Sequence, residues 1–364
     1  MNKLITILRK ENLKPLLEKA GKNYDVYLPL QDKKNGIVDF YELSYMSENY
    51  ILNLEEKTRR SPKFIFFPQT EKIFDFEYIK DLQKPDQVQI KLKEKTESSE
   101  KDFKKKILFG LKPCDTAGIK CLDLVFGEGV RKDPAYIQKR AGSILISIGC
   151  SLIYPDCFCM AVGGNPFNFE FSDIGLADLG DYFVILKKSE NKEVAEFIKE
   201  NKNFFEERDL STAEETKIKQ LISNSEEKCR LNWKEIDADK INLIMDKNFK
   251  DEKTWREVTN KCISCAACTY VCPTCVCFSI GDELRDMSGE RYKCWDFCTN
   301  YYYTLEASGH NPRSEIYQRY RNKINCKYNY FYKRNKILYC VGCGRCVDVC
   351  PVGIDIREVV EAFL

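Results

Sequence analysis

Apolar and polar positions follow two different rhythms along the first two thirds of the chain. Short runs rich in β-branched, aromatic and aliphatic residues, bounded by turn residues, predict strands at Tyr24–Leu30, Lys63–Phe67, Ile107–Leu111, Ser143–Ile148 and Tyr182–Leu186. Between them a 3.6-residue rhythm predicts helices at Thr116–Phe126, Lys192–Phe205 and Ala213–Arg230, the last two heavily charged and surface-facing. In Lys91–Lys106 eleven of sixteen residues are charged, of both signs, with no apolar face, so this segment reads as a solvated linker. From Phe249 onward the pattern changes to short helices broken at Cys-rich turns, and the polar stretch Met245–Lys253 marks the boundary. The final helix is the clearest. Ile356, Val359, Val360 and Phe363 keep the i, i+3, i+4, i+7 spacing, with Asp355 and Glu358 as a cap pair. The expected organisation is an α+β (or α/β) domain over residues 1–248, followed by an all-α domain over residues 249–364.

Composition narrows the function. A chain of 364 residues is long enough for about two domains, each with its own core. Its 58 basic and 56 acidic side chains leave a charge of +2, which argues against a nucleic-acid coat or a membrane-surface protein. No apolar run approaches the roughly 18–20 residues that span a bilayer, Gly142–Tyr154 being the longest, and no secretory signal is readable at the start. A cytoplasmic protein without membrane insertion is expected. In that compartment 19 Cys point to metal or redox chemistry rather than to a disulfide framework. The single histidine, His310, excludes a Rieske centre and a His-rich zinc site. It reads as a hydrogen-bonding residue before the Pro312 turn or as a tuner of a nearby cluster.

The cysteines are grouped. None precedes Cys114, five lie between Cys114 and Cys159, Cys229 stands alone, and thirteen fall between Cys262 and Cys350. Cys262, Cys265, Cys268 and Cys272-Pro273 match C-x2-C-x2-C-x3-C-P at every position, and Cys340, Cys343, Cys346 and Cys350-Pro351 match it again. Three thiolates two residues apart let a tight loop wrap three corners of an Fe4S4 cube, and the fourth Cys ligates the other cluster in two-cluster proteins. The expected ligand sets are therefore Cys262, Cys265, Cys268 and Cys350 for one 4Fe–4S cluster, and Cys340, Cys343, Cys346 and Cys272 for the other. Paired zinc sites are the alternative, but zinc has no use for the third C-x2 step or for the repeated Cys-Pro. Sixty-seven residues separate Cys272 from Cys340, a long insertion carrying Arg313, Arg319, Arg321 and Lys323, which either offset cluster charge or form a solvated helix face.

A third site is expected in the first domain. Cys114 and Cys150 each follow a predicted strand, where open α/β sheets place their ligands, and Cys157 and Cys159 come only seven and nine residues after Cys150. The quartet Cys114, Cys150, Cys157 and Cys159 has the thiol count for a third 4Fe–4S cluster, for a zinc ion, or for no metal if the four are buried free thiols. Cys275, Cys277 and Cys298 either line a cluster or serve as buried apolar residues, and Cys121, Cys229, Cys294 and Cys326 fit no motif.

The ordered set of motifs resembles the iron–sulfur subunits grouped around the β-subunit of cytoplasmic sulfhydrogenase and the A-subunit of anaerobic sulfite reductase. The resemblance is carried by Ser61-Pro62-Lys63 through Phe67-Pro68, Lys112-Pro113-Cys114-Asp115 through Leu122-Asp123, and Cys157-Phe158-Cys159. It continues in Cys272-Pro273-Thr274-Cys275-Val276-Cys277, Trp295-Asp296-Phe297-Cys298, His310-Asn311-Pro312-Arg313 and Cys340 to Pro351. It implies a dicluster ferredoxin-like second domain and an electron-transfer subunit of a cytoplasmic anaerobic complex. The implied partners are a flavin/NAD(P)-binding reductase subunit and a catalytic subunit, either a hydrogenase or a sulfite reductase. The chain has no G-x-G-x-x-G and no Walker-type loop, so a hydride-accepting site of its own is not expected. The rival reading is a stand-alone reductase of a disulfide or sulfur species at an unusual cluster in the first domain.

Overall fold

The computed structural model describes residues 4–80, 83–84, 87–93 and 104–364. The first strands are β1 (Leu4–Arg9), β2 (Tyr24–Asp32), β3 (Val38–Glu42), β4 (Tyr50–Leu52), β5 (Thr70–Lys80) and β6 (Val88–Lys93). They are followed by β7 (Lys105–Leu111), β8 (Ile144–Ile148), β9 (Ile174–Asp178), β10 (Tyr182–Lys188), β11 (Phe205–Asp209), β12 (Phe278–Arg285) and β13 (Ser288–Trp295). Helices among the strands are α1 (Lys10–Ala20), α2 (Pro113–Leu122), α3 (Pro134–Arg140), α4 (Lys192–Glu200) and α5 (Thr212–Asn232). The rest are α6 (Ala238–Lys247), α7 (Glu252–Thr259), α8 (Ala267–Tyr270), α9 (Ile316–Asn325), α10 (Phe331–Asn335), α11 (Arg345–Asp348) and α12 (Ile356–Glu361).

The most apolar runs become the centre of a nine-stranded sheet, ordered β11-β1-β10-β9-β8-β7-β2-β3 with β4 against β2. Its middle, β2-β7-β8-β9, is parallel, and the flanking pairs are antiparallel. Parallel strands are covered on both faces, so apolar residues dominate them. Successive residues nonetheless face opposite sides. Ile107, Phe109, Ile144 and Ile146 pack with Leu13, Leu16 and Leu17 of α1 and with Val194 and Phe197 of α4. Leu108 and Leu145 face the other way, onto Ile119 and Leu122 of α2, Tyr136 of α3 and Phe66 and Phe67.

Three elements depart from the expectation. Residues 63–67 form no strand: Pro62–Ile65 is a single helical turn, opened by a proline suited to a first helical position. Its Lys63 is buried and donates to the carbonyls of Cys275 (2.8 Å) and Thr269 (3.3 Å), which draws the segment onto the Cys-rich half. The helix from Lys192 stops at Glu200, and Phe205 opens β11, an edge strand paired with β1. The all-α expectation for residues 249–364 is corrected by a hairpin, β12–β13, lying between the two ferredoxin motifs. Its turn is Asp286-Met287, with Asp286 at φ 56°. β13 also pairs with β5, and β5 with β6, giving a four-stranded sheet β12-β13-β5-β6. In β5 only Phe76 is buried and β6 is exposed throughout, so these strands lack the apolar alternation that announces a half-buried sheet.

The linker expected at 91–106 falls partly on β6 and β7, and residues 94–103 lie outside the described residues. The boundary expected at 248 lies between α6 and α7, and one apolar cluster crosses it. Ile241 and Met245 pack with Trp255, Tyr317, Ile324 and Val360, and Phe158 and Ala161 join them from the first half. Asp355 caps α12 by accepting from the Arg357 backbone N–H (2.8 Å). Among the described residues, no helix is long and apolar enough to cross a membrane.

Candidate iron–sulfur centres

Each expected quartet lines one cavity. At site one, Cys262, Cys265, Cys268 and Cys350 share a cavity with Tyr320, Lys323 and Cys346. The loop makes room by turning left-handed twice, at Ser264 (φ 56°) and Ala266 (φ 62°). Backbone N–H groups are turned toward sulfur: Ser264 to Cys262 Sγ (3.4 Å) and Ile354 to Cys350 Sγ (3.2 Å).

At site two, Cys272, Cys340, Cys343 and Cys346 line a second cavity with Cys268, Lys323, Lys327 and Phe158. The loop repeats the same two left-handed positions, now as Gly342 (φ 62°) and Gly344 (φ 73°). Lys327 Nζ lies 3.3 Å from Cys272 Sγ and 2.6 Å from Thr274 Oγ1. Lys323 and Lys327 are both buried, and no carboxylate forms an ion pair with either among the described residues. Burial opposes their charge, yet the surrounding cysteine sulfurs hold both lysines well above the ordinary amine value. Of the other basic residues singled out, Arg319 donates to the carbonyls of Thr299, Arg313 and Ser314, and Arg321 to that of Phe249. These two brace the insertion. His310 is exposed in a turn, where its carbonyl accepts from Glu306 N–H (2.9 Å), so it serves the turn.

At site three, Cys114, Cys150, Cys157 and Cys159 line a cavity with Lys57, Tyr154, Gly342 and Cys343. The parallel neighbours β7 and β8 deliver Cys114 and Cys150 to one edge of the sheet. Cys157 and Cys159 come from the loop after Cys150. That loop is stitched to the second ferredoxin loop, since Phe158 N–H donates to the Gly342 carbonyl (2.8 Å). Lys57 crosses the same seam, with its Nζ 2.6 Å from Asp156 Oδ2, 3.0 Å from the Cys343 carbonyl and 3.9 Å from Cys157 Sγ. Beneath it Arg345 pairs with Asp115 (2.8 Å), both 1% exposed, and also donates to the Thr58 carbonyl (2.8 Å).

The donor sets fit iron–sulfur clusters. In each, the expected four thiols line one cavity together with one cysteine of a neighbouring site, a thiol count that a 4Fe–4S cluster can use. The cavities are contiguous. Sites one and two share Cys268, Cys346 and Lys323, and sites two and three share Gly342 and Cys343. A separate crevice of about 600 Å³ reaches Cys114 and Cys159 of site three and Cys340 of site two, between Lys120, Lys336, Glu170 and Asp237. Sequence reasoning gave no role to Lys57, Lys327 or Cys229. Cys229 Sγ stands 3.6 Å from Cys159 Sγ although 69 residues intervene, a separation that no spacing rule anticipates.

Residues 261–354 match the family model of the 4Fe-4S dicluster domain. The chain is also 32% identical over 258 residues to sulfhydrogenase 2 subunit beta of Pyrococcus furiosus, an alignment covering 70% of this chain and 73% of that protein. That match implies 4Fe–4S clusters in this part of the chain, which contains all eight cysteines of sites one and two. With that extent of identity, the chain belongs to the family of the sulfhydrogenase beta subunit.

Proposed function

We propose that this chain is the electron-transfer subunit of a cytoplasmic anaerobic redox complex, holding three 4Fe–4S clusters in the order site one, site two, site three. The observation that carries this reading is the sharing of walls between successive cavities, through Cys268 and Cys346 and then through Gly342 and Cys343. A 4Fe–4S cluster supplies one-electron transfer at a potential set by nearby charge and hydrogen bonds. The protein's own part is to fix spacing and charge. Lys323 places a positive charge against sites one and two, Lys327 against site two, and Lys57 between sites two and three.

The ligand sets are Cys262, Cys265, Cys268 and Cys350 at site one, Cys272, Cys340, Cys343 and Cys346 at site two, and Cys114, Cys150, Cys157 and Cys159 at site three. The partners are a flavin/NAD(P)-binding reductase subunit and a catalytic subunit of the hydrogenase or sulfite reductase kind. The relative's designation as a sulfhydrogenase subunit supports the hydrogenase branch. Anaerobic reconstitution of the full chain followed by iron analysis tests the cluster count. Three clusters give about twelve iron atoms per chain, whereas two give about eight and reject site three.

One observation favours a second reading. The crevice beside Cys114 and Cys159 is large enough to admit a small molecule to site three, as a stand-alone reductase of a disulfide or sulfur species would require. Assays with a reduced dye separate the two. Turnover of a small disulfide by the purified chain supports the reductase; silence alone, with activity restored by partner chains, supports the relay.

A further inference from the structure

A cavity of another kind lies apart from the three quartets, where the helical turn Pro62–Ile65 meets α8 and β13. It measures about 150 Å³ and is lined by Arg60, Ser61, Phe64, Gln69, Tyr270 and Trp295, with no cysteine and no carboxylate in its wall. Ser61 and Trp295 belong to the ordered motifs of the sequence, yet neither lines a cluster cavity. Ser61 is 2% exposed, and its Oγ has no hydrogen-bond partner among the described residues. A buried hydroxyl left unpaired costs about 1–3 kcal/mol, a cost that a bound molecule removes.

The other polar groups of the wall add donors. Arg60 pairs with Asp39 through Nε (2.9 Å), and Asp39 itself does not line the cavity. Gln69 accepts from the Tyr270 hydroxyl at Oε1 (3.1 Å), which leaves its amide N–H groups to donate elsewhere. The Lys63 ammonium stands 4.2 Å from the Trp295 ring centroid, and its partners are the carbonyls of Thr269 and Cys275, so a second positive charge backs the same wall. A guanidinium, a hydroxyl and an amide around a space without carboxylates suit an anion with several acceptor oxygens. The space is smaller than the roughly 300–1,000 Å³ of pockets that take organic ligands, so the anion is small.

We propose that this cavity binds one small inorganic oxyanion of the size of sulfate or phosphate, held by the Arg60 guanidinium, the Ser61 hydroxyl and the Gln69 amide. Binding tunes the relay. Tyr270 lies between Cys268, in the wall of sites one and two, and Cys272 of site two, so the anion brings negative charge toward both. Negative charge near a cluster disfavours an added electron, and the potentials of sites one and two fall when the anion binds. That consequence rests on the reading of sites one and two as cluster sites; the binding of the anion does not.

Isothermal titration of the full reconstituted chain with sodium sulfate, and separately with sodium phosphate, tests the site. One anion per chain is expected. Gln69→Glu, which sets a like charge at an exposed position of the wall, should weaken binding at least about tenfold, and Ser61→Ala, which removes the buried donor, about tenfold. Iron content and EPR signals unchanged from wild type show that the variants keep the fold. Redox titration followed by EPR should give lower potentials at sites one and two with sulfate than without it, and no such difference in Gln69→Glu. If the wild-type chain takes up neither anion, or if Gln69→Glu binds as tightly as wild type, the anion site is wrong. If sulfate binds and the potentials stay where they were, the tuning is wrong and the binding site stands. If sites one and two give no cluster signals at all, the cluster reading fails, and the calorimetric comparison of the wild-type chain with Gln69→Glu still decides the anion site.

Discussion

The two ferredoxin loops have the same spacing and the same two left-handed residues, yet they are built from different amino acids. The first uses Ser264 and Ala266; the second uses Gly342 and Gly344. Backbone conformation alone does not explain the choice, because a left-handed φ costs a non-glycine residue roughly 1–2 kcal/mol in either loop. Surroundings do. A Cβ on Gly342 would stand 2.5 Å from the Cys159 backbone, and one on Gly344 would stand 2.3 Å from the Asp156 carbonyl oxygen. The first loop is more open: Ser264 and Ala266 are only half-buried, and Cys265 and Ile263 beside them are exposed. One loop is therefore an internal joint against residues 156–159, and the other is partly exposed. The same ligand spacing thus tolerates different residues between the cysteines, according to what packs against each loop.

The largest expected effect comes from closing the joint. Gly342→Ala places a methyl group against backbone that cannot rotate away, adding overpacking of about 1–3 kcal/mol to the left-handed penalty of roughly 1–2 kcal/mol. Sites two and three should both lose iron, with site one retained, as read by iron analysis and EPR. Loss of site one instead would show that the loops are not divided as described. Next in size is Cys272→Ser. Because Cys272 lines the site-two cavity and not that of site one, it should abolish the site-two signal alone. Loss of the site-one signal instead would overturn the crossed ligation.

The same contrast explains what was legible beforehand. The two ferredoxin motifs were readable because their ligand spacing is local; that the distant Cys350 and Cys272 each join the other motif's cavity depends on tertiary packing. The positions of Cys114 and Cys150 were legible because β7 and β8 are mostly apolar, and parallel strands bring the residues just past their carboxyl ends to one edge. The hairpin β12–β13 was not, because β13 pairs with β5, which is beside the wholly exposed β6, and the sheet buries little. Lys63–Phe67 has the composition of a strand, but the Lys63 ammonium is anchored by carbonyls more than 200 residues away. Cys229 is a lone thiol on a charged helix, brought to Cys159 by tertiary packing alone.

A third prediction concerns potential. Lys323 lines the cavities of sites one and two, whereas Lys327 lines that of site two only. A unit charge about 6 Å from an added electron, at an effective dielectric constant near 20, stabilises it by about 3 kcal/mol. That corresponds to a change on the order of 100 mV. Lys327→Met should lower the site-two potential by that order and leave site one within a few tens of millivolts. Lys323→Met should lower both. Redox titration followed by EPR reads the two sites separately, and equal shifts from Lys327→Met would contradict the assignment of its charge to site two.

The smallest effect runs in the opposite direction, in the open loop. Ala266 sits at φ 62°, a conformation that glycine adopts without steric cost, and Ser264 sits at φ 56°. Ala266→Gly removes a penalty of roughly 1–2 kcal/mol and adds back about 0.5–1 kcal/mol through the greater freedom of glycine in the unfolded chain. The expected net change is a stabilisation of up to about 1.5 kcal/mol, with iron content unchanged. The reverse exchange in the other loop, Gly344→Ala, meets the Asp156 carbonyl and should cost site two its cluster. Thermal unfolding of the two reconstituted variants reads the pair directly. If both substitutions prove equally mild, the second loop is not packed against residues 156–159 in solution, and the contrast between joint and open face is lost.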